Sequence, residues 1–420
     1  MKFNEVLMES GEFKKYLSSL SNTPVSVSGI ADSALAHFIH SSGNGKRKLC
    51  VVYGENEAKA LYKDLCFFED NVIYYPMREF VYYNVDAFAH FDEHRRINAL
   101  NALQSGENGN VTVVASLSAI LSPTISPEQL AKHSLCIKPG ESYNIDKLSE
   151  RLVAAGYTRN DITEGCGQFS LRGGILDVFS PGNDFPYRIE FFDDEADSVR
   201  MFDYVSQRTL EMTDCAVILP CREICPDEKK CREVTGKIEK LIESVKRKKG
   251  DYTELIENIT AEKEKLETGR TLENADKYYS YFYDKIYTLT DYFDNDDMIF
   301  VSEPKRLAEK GKSIAWEEEE LVKELCEKNL LSAKNIRFSL PFAEFCKKSS
   351  EMVHVSVNSL NHSSLSYTYN AIFSFESRAT VSLHGKIDYL FSDLENWRNK
   401  NATVIILAQN RGRGENISGI

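Results

Sequence analysis

Four residues near the amino terminus occupy positions where a nucleotide-binding loop contacts phosphate. The stretch Val25–Leu35 reads VSVSGIADSAL. The loop motif G-x-x-x-x-G-K-[ST] needs two glycines, a lysine for the β- and γ-phosphates, and a hydroxyl for magnesium. Gly29 matches the first glycine, and the remaining positions hold Ala34, Leu35 and Ala36. Because the groups that would contact charge are apolar, the stretch indicates loop geometry without nucleotide binding; the alternative is an ordinary strand-to-helix turn.

A second altered motif follows the apolar run MIFVSEP at 298–304. Motor ATPases place Asp-Glu at such a strand end, where the acids hold magnesium and orient the attacking water. Here the pair is Ser302 and Glu303. Together with the altered loop, this predicts an inactive motor domain in which both halves of one ATP site are degenerate. We therefore expect no catalytic residue and no enzymatic activity in this chain.

Cysteines and overall charge limit the other classes of function. The one cysteine cluster is Cys215, Cys221, Cys225 and Cys231. It contains no C-x-x-C pair, so the spacing disfavours zinc and we predict no metal site.

The net charge is −13, from 64 acidic and 51 basic residues, which favours a protein partner over stand-alone binding to duplex DNA. No apolar signal core or membrane-length run is present, so we expect a cytoplasmic protein with no membrane contact.

The strand PYRIEFF at 186–192 carries residues suited to binding another protein. The two-residue period of a strand gives an inward set of Tyr187, Ile189 and Phe191. Arg188 and Phe192 then face outward, and an exposed aromatic beside an arginine has the composition of a binding hot spot. Arg172 precedes Gly173-Gly174, which we expect to bend its strand and turn the guanidinium outward. For Arg188, a cross-strand pair with a neighbouring acid is the alternative.

The elements around these residues change character along the chain. Residues 22–120 alternate short apolar strands with helical stretches, which predicts a parallel sheet with helices on its faces. A turn-rich segment after it, including GQFSLRGGILDVFSPG, predicts an antiparallel meander in a small inserted α+β domain. Residues 227–274 predict a solvated pair of charged helices. After Arg378 the pattern predicts a helix and then a buried strand, and the chain ends soon after it, as if cut within a larger protein.

Several of these segments resemble one protein family. FSLRGGILDVFSPG, PYRIEFFDDEADSVRMFD and SQRTLE, within 169–211, resemble domain 2 of the bacterial transcription-repair coupling factors (Mfd), a domain shared in form with the excision-repair subunit UvrB. YYPMREFVYYNVDAFAHFDEHRRINAL and VVASLSAILSP are similar to the family's first domain. The resemblance covers most of 20–350 and is loose over 350–420.

The resemblance implies an α/β fold with a degenerate, helicase-like P-loop sheet, an inserted α+β domain and a partial C-terminal α/β domain. The implied units are domain 1a at 1–125, the UvrA-binding domain 2 at 126–220, domain 1b at 221–350, and a linker with a truncated domain 3-like segment at 351–420. Domain 2 docks UvrA in this family, and Arg172, Arg188 and Phe192 match its contacting positions. RNA polymerase, duplex DNA, ATP and magnesium would bind regions beyond residue 420.

Two departures separate the chain from UvrB itself. UvrB keeps an intact nucleotide loop, which is lost here at Ala34, Leu35 and Ala36. UvrB also carries a long hairpin that clamps a DNA strand, whereas only eleven residues lie between Tyr83 and Arg95. We therefore predict a UvrB-like scaffold that recruits UvrA to stalled RNA polymerase; the alternative is a UvrB-like DNA-dependent ATPase.

Overall fold

The structure of the protein is a computed structural model. It describes residues 3–43, 45–81, 90–106, 109–226, 228–247, 249–268, 272, 274–332, 337–360, 366–378, 387–400, 402, 404, 406 and 411–418. The strands are β1 Val25–Ser28, β2 Lys48–Val52, β3 Val72–Tyr75, β4 Thr112–Ser116, β5 Leu135–Ile137, β6 Thr158–Arg159, β7 Gln168–Arg172, β8 Ile175–Val178, β9 Tyr187–Phe192, β10 Glu195–Phe202, β11 Thr209–Met212, β12 Ala216–Ile218, β13 Met298–Ser302, β14 Val353–Asn358 and β15 Ala371–Ser374. The helices are α1 Phe3–Met8, α2 Gly11–Ser19, α3 Asp32–Ser42, α4 Glu55–Leu65, α5 Phe91–Ser105, α6 Leu117–Leu121, α7 Pro127–His133, α8 Ile145–Ala154, α9 Glu228–Lys246, α10 Thr253–Glu267, α11 Tyr279–Phe282, α12 Pro304–Glu327, α13 Phe342–Glu351, α14 Ile387–Asn399 and α15 Arg411–Ser418, with 3₁₀ turns at Ala275–Tyr278 and Leu289–Tyr292.

The predicted parallel sheet is confirmed. Its strand order is β15-β1-β14-β13-β2-β4-β3, and every neighbouring pair is parallel. Strands β1, β2 and β4 are buried along their whole length, because apolar clusters cover both faces of the sheet. Strands that are buried on both faces in this way are typical of a parallel sheet enclosed by helices.

The carboxyl-terminal part of this sheet corrects one sequence interpretation. We assigned residues 351–420 to a linker and a separate α/β segment, but β14 and β15 lie on either side of β1 in the first sheet. Strand pairing of residues more than 300 positions apart leaves no periodic signal in the sequence, so the alternation alone could not assign these strands.

The segment after Arg378 is only half as predicted. Helix α14 is present, but Ala402, Val404 and Ile406, the described residues of the predicted buried strand, lie outside any strand and are exposed. A buried strand needs neighbouring strands to satisfy its backbone N–H and C=O groups. In the described residues the parallel sheet ends at β15, so that part of the prediction is wrong for these three positions.

A second sheet lies between β4 and β13 in the chain. Its order is β11-β10-β9-β8-β7-β6, antiparallel from β7 to β11, which confirms the predicted meander. One face packs on α8 and on the small β5-β12 sheet through an apolar cluster that includes Leu152, Phe169 and Ile189. All of these strands fall between Leu135 and Ile218, inside the range predicted for the inserted domain.

The predicted helical pair is also present. Helices α9 and α10 pack together and bury Val234, Ile238, Leu255 and Ile259 between them. Most charged residues of the pair lie on its outer face, as a 3.6-residue period requires, whereas Glu262 of α10 is buried and paired with Lys277. Among the helices that the structure describes, none is both long and apolar enough to cross a bilayer.

Buried ion pairs join segments that are distant in sequence. Arg78 donates to both oxygens of Asp276, at 2.7 and 3.1 Å, and also pairs with Glu223. Arg96 donates from Nε to Glu223 Oε1 at 2.7 Å. Arg96 and Glu223 are fully buried. Removing one partner of a buried pair leaves an uncompensated charge, so these pairs are costly to break. They therefore hold the segment around Glu223, which follows β12, against α5 and the segment after β3.

Glu69 makes stability depend on pH. Burial alone would raise the pKa of its carboxyl, but hydrogen bonds from His40, Lys48 and Thr112 outweigh burial and lower the pKa to about 2. A lowered pKa stabilises the folded state above the unfolded value of about 4.5, and that stabilisation is lost as the pH falls towards 2. We expect Glu69→Gln to reduce the free energy of unfolding by on the order of 2 kcal/mol at pH 7 and by much less at pH 2. Urea titrations across this range test it, and a difference that is constant with pH would contradict it.

Candidate functional site: the outer face of the antiparallel sheet

The side chains of β9 alternate as predicted. Tyr187, Ile189 and Phe191 lie in the core of the second sheet. Phe192 lies on the opposite face, and 82% of its surface is exposed. It is the most exposed of the large apolar residues that the structure describes. A single exposed apolar side chain is ordinary on a protein surface, so the significance of Phe192 depends on the charged residues that share its face.

Arg188 lies on the same face but is less accessible than the sequence suggested. Only 13% of its side chain is exposed, because it forms the cross-strand ion pair that was the alternative interpretation. Its Nε and Nη2 donate to the two oxygens of Asp177 at 2.6 and 2.8 Å. Nη2 also donates to Gln207 Oε1 at 2.8 Å, and the guanidinium lies 4.1 Å from the ring centre of Phe202. The hydrogen bonds to Asp177 raise the pKa of Arg188, so its charge is fixed.

Arg172 is presented by a tight turn. Gly173 and Gly174 form the two-residue connection between β7 and β8, with Gly173 at φ +59°. A Cβ on Gly174 would meet Phe191 O at 2.7 Å, so this position requires glycine. The glycines therefore end the strand instead of bending it. Arg172 Nη2 donates to Asp177 Oδ2 at 2.9 Å, and 48% of its side chain stays exposed.

The sequence interpretation missed Asp177. Its side chain is 1% exposed and accepts hydrogen bonds from both arginines of the predicted trio. The available signal was an acid inside the apolar run GILDV, since a carboxylate in a buried strand requires a cationic partner.

A row of residues runs across this face, and its last two members, Asp177 and Ser170, are buried. In register across five strands it runs Met212, Arg200, Arg188, Asp177 and Ser170. Arg200 is paired with Glu190 of β9, and Met212 is 64% exposed. The face therefore combines three guanidiniums, two carboxylates and exposed apolar groups, which is the composition expected of a surface that binds an acidic, partly apolar partner.

The loop after β1, which the sequence predicted to be a degenerate nucleotide loop, is closed by other parts of the chain. Gly29 connects β1 to α3 with φ +77°, and a Cβ there would lie 1.8 Å from Phe375 O. Ser377 donates from N and Oγ to Gly29 O and accepts from Ala31 N at 2.6 Å. Two backbone N–H groups of this loop are thus bonded within the chain, since Ala31 N donates to Ser377 Oγ and Ile30 N donates to Asn358 O.

The positions of the missing lysine and hydroxyl lie in the core. Leu35 and Ala36 are buried, and Ala34 packs against the same cluster. Ser302 and Glu303 end β13, which is separated from β1 by β14 alone, so the two altered motifs meet at one sheet edge about 10 Å apart. Glu303 Oε1 accepts from Ser359 N at 2.7 Å, and it therefore caps a loop of its own chain.

Closure of this loop gives a test on stability. We expect Gly29→Ala to lower the free energy of unfolding by about 2–4 kcal/mol, because the methyl group collides with a backbone oxygen and the φ angle is strained. Gly11→Ala, where nothing lies within 4 Å, is the matched control and should change little. Chemical denaturation measures both variants, and equal stabilities would show that the segment after β15 does not cover Gly29.

Two further predictions concern cysteines and DNA. Cys221 and Cys225 are buried, Cys215 and Cys231 are half-buried, and all four are free thiols. The described residues contain no group of three or more potential ligands that could hold a metal ion. The predicted lack of a DNA-clamping hairpin concerns the eleven residues between Tyr83 and Arg95, and 84–89 of these lie outside the described residues.

Comparison with known proteins connects this geometry to a family. Residues 135–223 match the family model described as UvrB interaction domain. A transcription-repair-coupling factor of Bacillus subtilis (strain 168) is 29% identical over 99% of this chain and 36% of its own length. The chain is a relative of the transcription-repair-coupling factors. Proteins of the same name from Staphylococcus epidermidis (strain ATCC 35984) and Staphylococcus aureus (strain bovine RF122) are 25% and 24% identical, again over 99% of this chain and about a third of their own lengths, 35% and 36%.

The similarity to coupling factors bears on the two candidate regions differently. Arg172, Asp177, Arg188 and Phe192 all fall inside the range matched by the UvrB interaction domain model. The altered nucleotide loop and Ser302 fall outside that range but within the overall similarity to coupling factors. The chain spans about a third of the length of these relatives, so the activity of a whole coupling factor does not transfer to it directly.

Proposed function

We propose that this chain is a docking module that recruits UvrA during transcription-coupled DNA repair in the cytoplasm. The observation that carries the proposal is Phe192, which is 82% exposed on the same sheet face as Arg172 and Arg188, in the range that matches the UvrB interaction domain model. A face that carries an accessible aromatic and guanidiniums can bury apolar area at the ring and pair with a partner's carboxylates at the arginines. RNA polymerase, duplex DNA, ATP and magnesium would then be bound by regions beyond residue 420.

Direct titration of the chain with purified UvrA tests the proposal. We expect saturable binding by calorimetry, and no measurable heat at tens of micromolar of each protein would contradict it. Trp316→Ala is a matched control, because Trp316 is an aromatic of α12 that is 63% exposed and lies outside the second sheet. The control variant should bind as the unchanged protein does.

The proposal also holds that this chain is not an ATPase, in contrast to the UvrB-like alternative. Phosphate binding needs a loop cation and magnesium. Leu35 is buried in the lysine position, and Ser377 Oγ accepts the hydrogen bond of Ala31 N in the loop. We expect no heat of binding with magnesium-ATP and no hydrolysis above background. Micromolar binding that is lost on substitution near Gly29 would favour a UvrB-like ATPase.

DNA provides a second distinction from the alternative. A UvrB-like subunit grips a lesion-containing duplex, whereas the net charge of −13 allows few phosphate contacts here. Gel shifts at moderate salt should therefore give little retention and no preference for a lesion.

A further inference from the structure

A single buried carboxylate organises the cationic part of the outer face. Asp177 of β8 is 1% exposed and lies in register with Arg188 of β9. Its Oδ1 accepts from Arg188 Nε at 2.6 Å, and its Oδ2 accepts from Arg188 Nη2 at 2.8 Å and from Arg172 Nη2 at 2.9 Å. Three charge-assisted hydrogen bonds thus converge on one acid, and two of them form the bidentate arrangement that fixes a guanidinium in both distance and orientation.

The charges around Asp177 do not cancel. Arg172 and Arg188 share this carboxylate, while Arg200, directly opposite Arg188, is paired with Glu190. The five groups therefore carry a net charge of +1, and two guanidiniums face each other across β9 and β10. Like charges in this position repel, so this arrangement of arginines depends on the two carboxylates that pair with them. The remaining positive charge can attract a further carboxylate from a binding partner.

Other contacts restrict Arg188 to one conformation. Gln207 accepts from its Nη2, and the guanidinium stacks at 4.1 Å on the buried ring of Phe202. Nε and Nη2 are engaged, which leaves the Nη1 donors of Arg188 and most donors of the half-exposed Arg172 for a partner. A partner that binds such a pair does not have to order two long side chains, which otherwise costs affinity.

We propose that Asp177 is a positioning residue for partner binding, which holds Arg172 and Arg188 as one rigid cationic pair. This inference rests on the proposed function, because the partner is the acidic surface of UvrA. Asp177 does not touch the partner; it acts through the two arginines.

The sign of the effect separates positioning from simple electrostatics. Removing a negative charge from this face should strengthen binding of an acidic partner if only long-range attraction matters. If Asp177 positions the arginines, Asp177→Asn should instead weaken binding, by about ten-fold or more. Glu150→Gln removes one negative charge from the exposed side of α8, which packs on the opposite face of the sheet from this pair, and it should change affinity by less than two-fold or raise it slightly.

A double-mutant cycle tests whether the effect passes through the arginines. Affinities for UvrA are measured by calorimetry for the unchanged protein, Asp177→Asn, Arg172→Ala and the double variant, each verified as folded by circular dichroism. We expect the double variant to lose clearly less than the product of the two single losses. Folded Asp177→Asn that binds as well as the unchanged protein, or losses that simply multiply, would overturn the proposal.

A second measurement needs no partner. In the unchanged protein the Arg188 Nε–H should give a slowly exchanging NMR signal, and that signal should exchange rapidly in Asp177→Asn. An equally protected signal in both proteins would also overturn the role of Asp177. Failure of the unchanged protein to bind UvrA would contradict the proposed function. The exchange rate of the Arg188 Nε–H would still test whether Asp177 holds Arg188 in place.

Discussion

Phe192→Ala is expected to weaken binding of UvrA by roughly 30-fold or more, which corresponds to about 2 kcal/mol. The reason is that the ring is 82% exposed in the free protein, so a partner that covers it removes nearly all of its apolar surface from water. The melting temperature should stay within about a degree of that of the unchanged protein, since an exposed side chain contributes little to the core. Calorimetric titration and thermal denaturation of one preparation measure both quantities.

Two comparisons make the Phe192 prediction specific. Phe192→Leu retains much of the apolar area and should lose less affinity than the alanine variant. Trp316→Ala removes a similarly exposed aromatic from α12 and should bind normally. If Phe192→Ala binds UvrA as tightly as Trp316→Ala does, the interface lies elsewhere on the chain.

Arg188→Ala is expected to lower both binding and stability. The two-residue period of the strand placed this side chain on the outer face, away from the core. In the structure, however, Arg188 is 13% exposed and is the bidentate partner of a buried acid. Removing it leaves Asp177 with Arg172 alone, and breaking a buried ion pair from one side costs about 3 kcal/mol or more.

The Arg188 effect must be separated into its two parts. Urea denaturation should report the loss of stability, while titration with UvrA at a temperature where the variant is folded should report a loss of affinity of roughly 2 kcal/mol. Arg172→Ala is the matched variant, since Arg172 makes a single bond to the same acid and is 48% exposed. It should weaken binding with little loss of stability. Unchanged stability of Arg188→Ala would mean that Asp177 does not depend on this partner.

Local patterns in the sequence determined the secondary structure of the two sheets. The alternation of apolar and polar residues along β9 was sufficient to place Ile189 inward and Phe192 outward, because a strand has a strict two-residue period. Similarly, Leu35 in the lysine position was sufficient to predict an altered nucleotide loop, because the chemistry of phosphate binding depends on residue type at a fixed spacing.

Only the tertiary structure decided which distant residues meet. Phe375 and Ser377 close over Gly29, β14 and β15 flank β1, and Asp177 joins Arg172 to Arg188. The first two contacts link positions more than 300 residues apart, and the third depends on the register of three strands. Residue types and local periods carry no information about such pairings, since they follow from how the strands are ordered and aligned. The sequence therefore indicated which side chains could bind a partner, and the fold determined that two of them are held by one buried carboxylate.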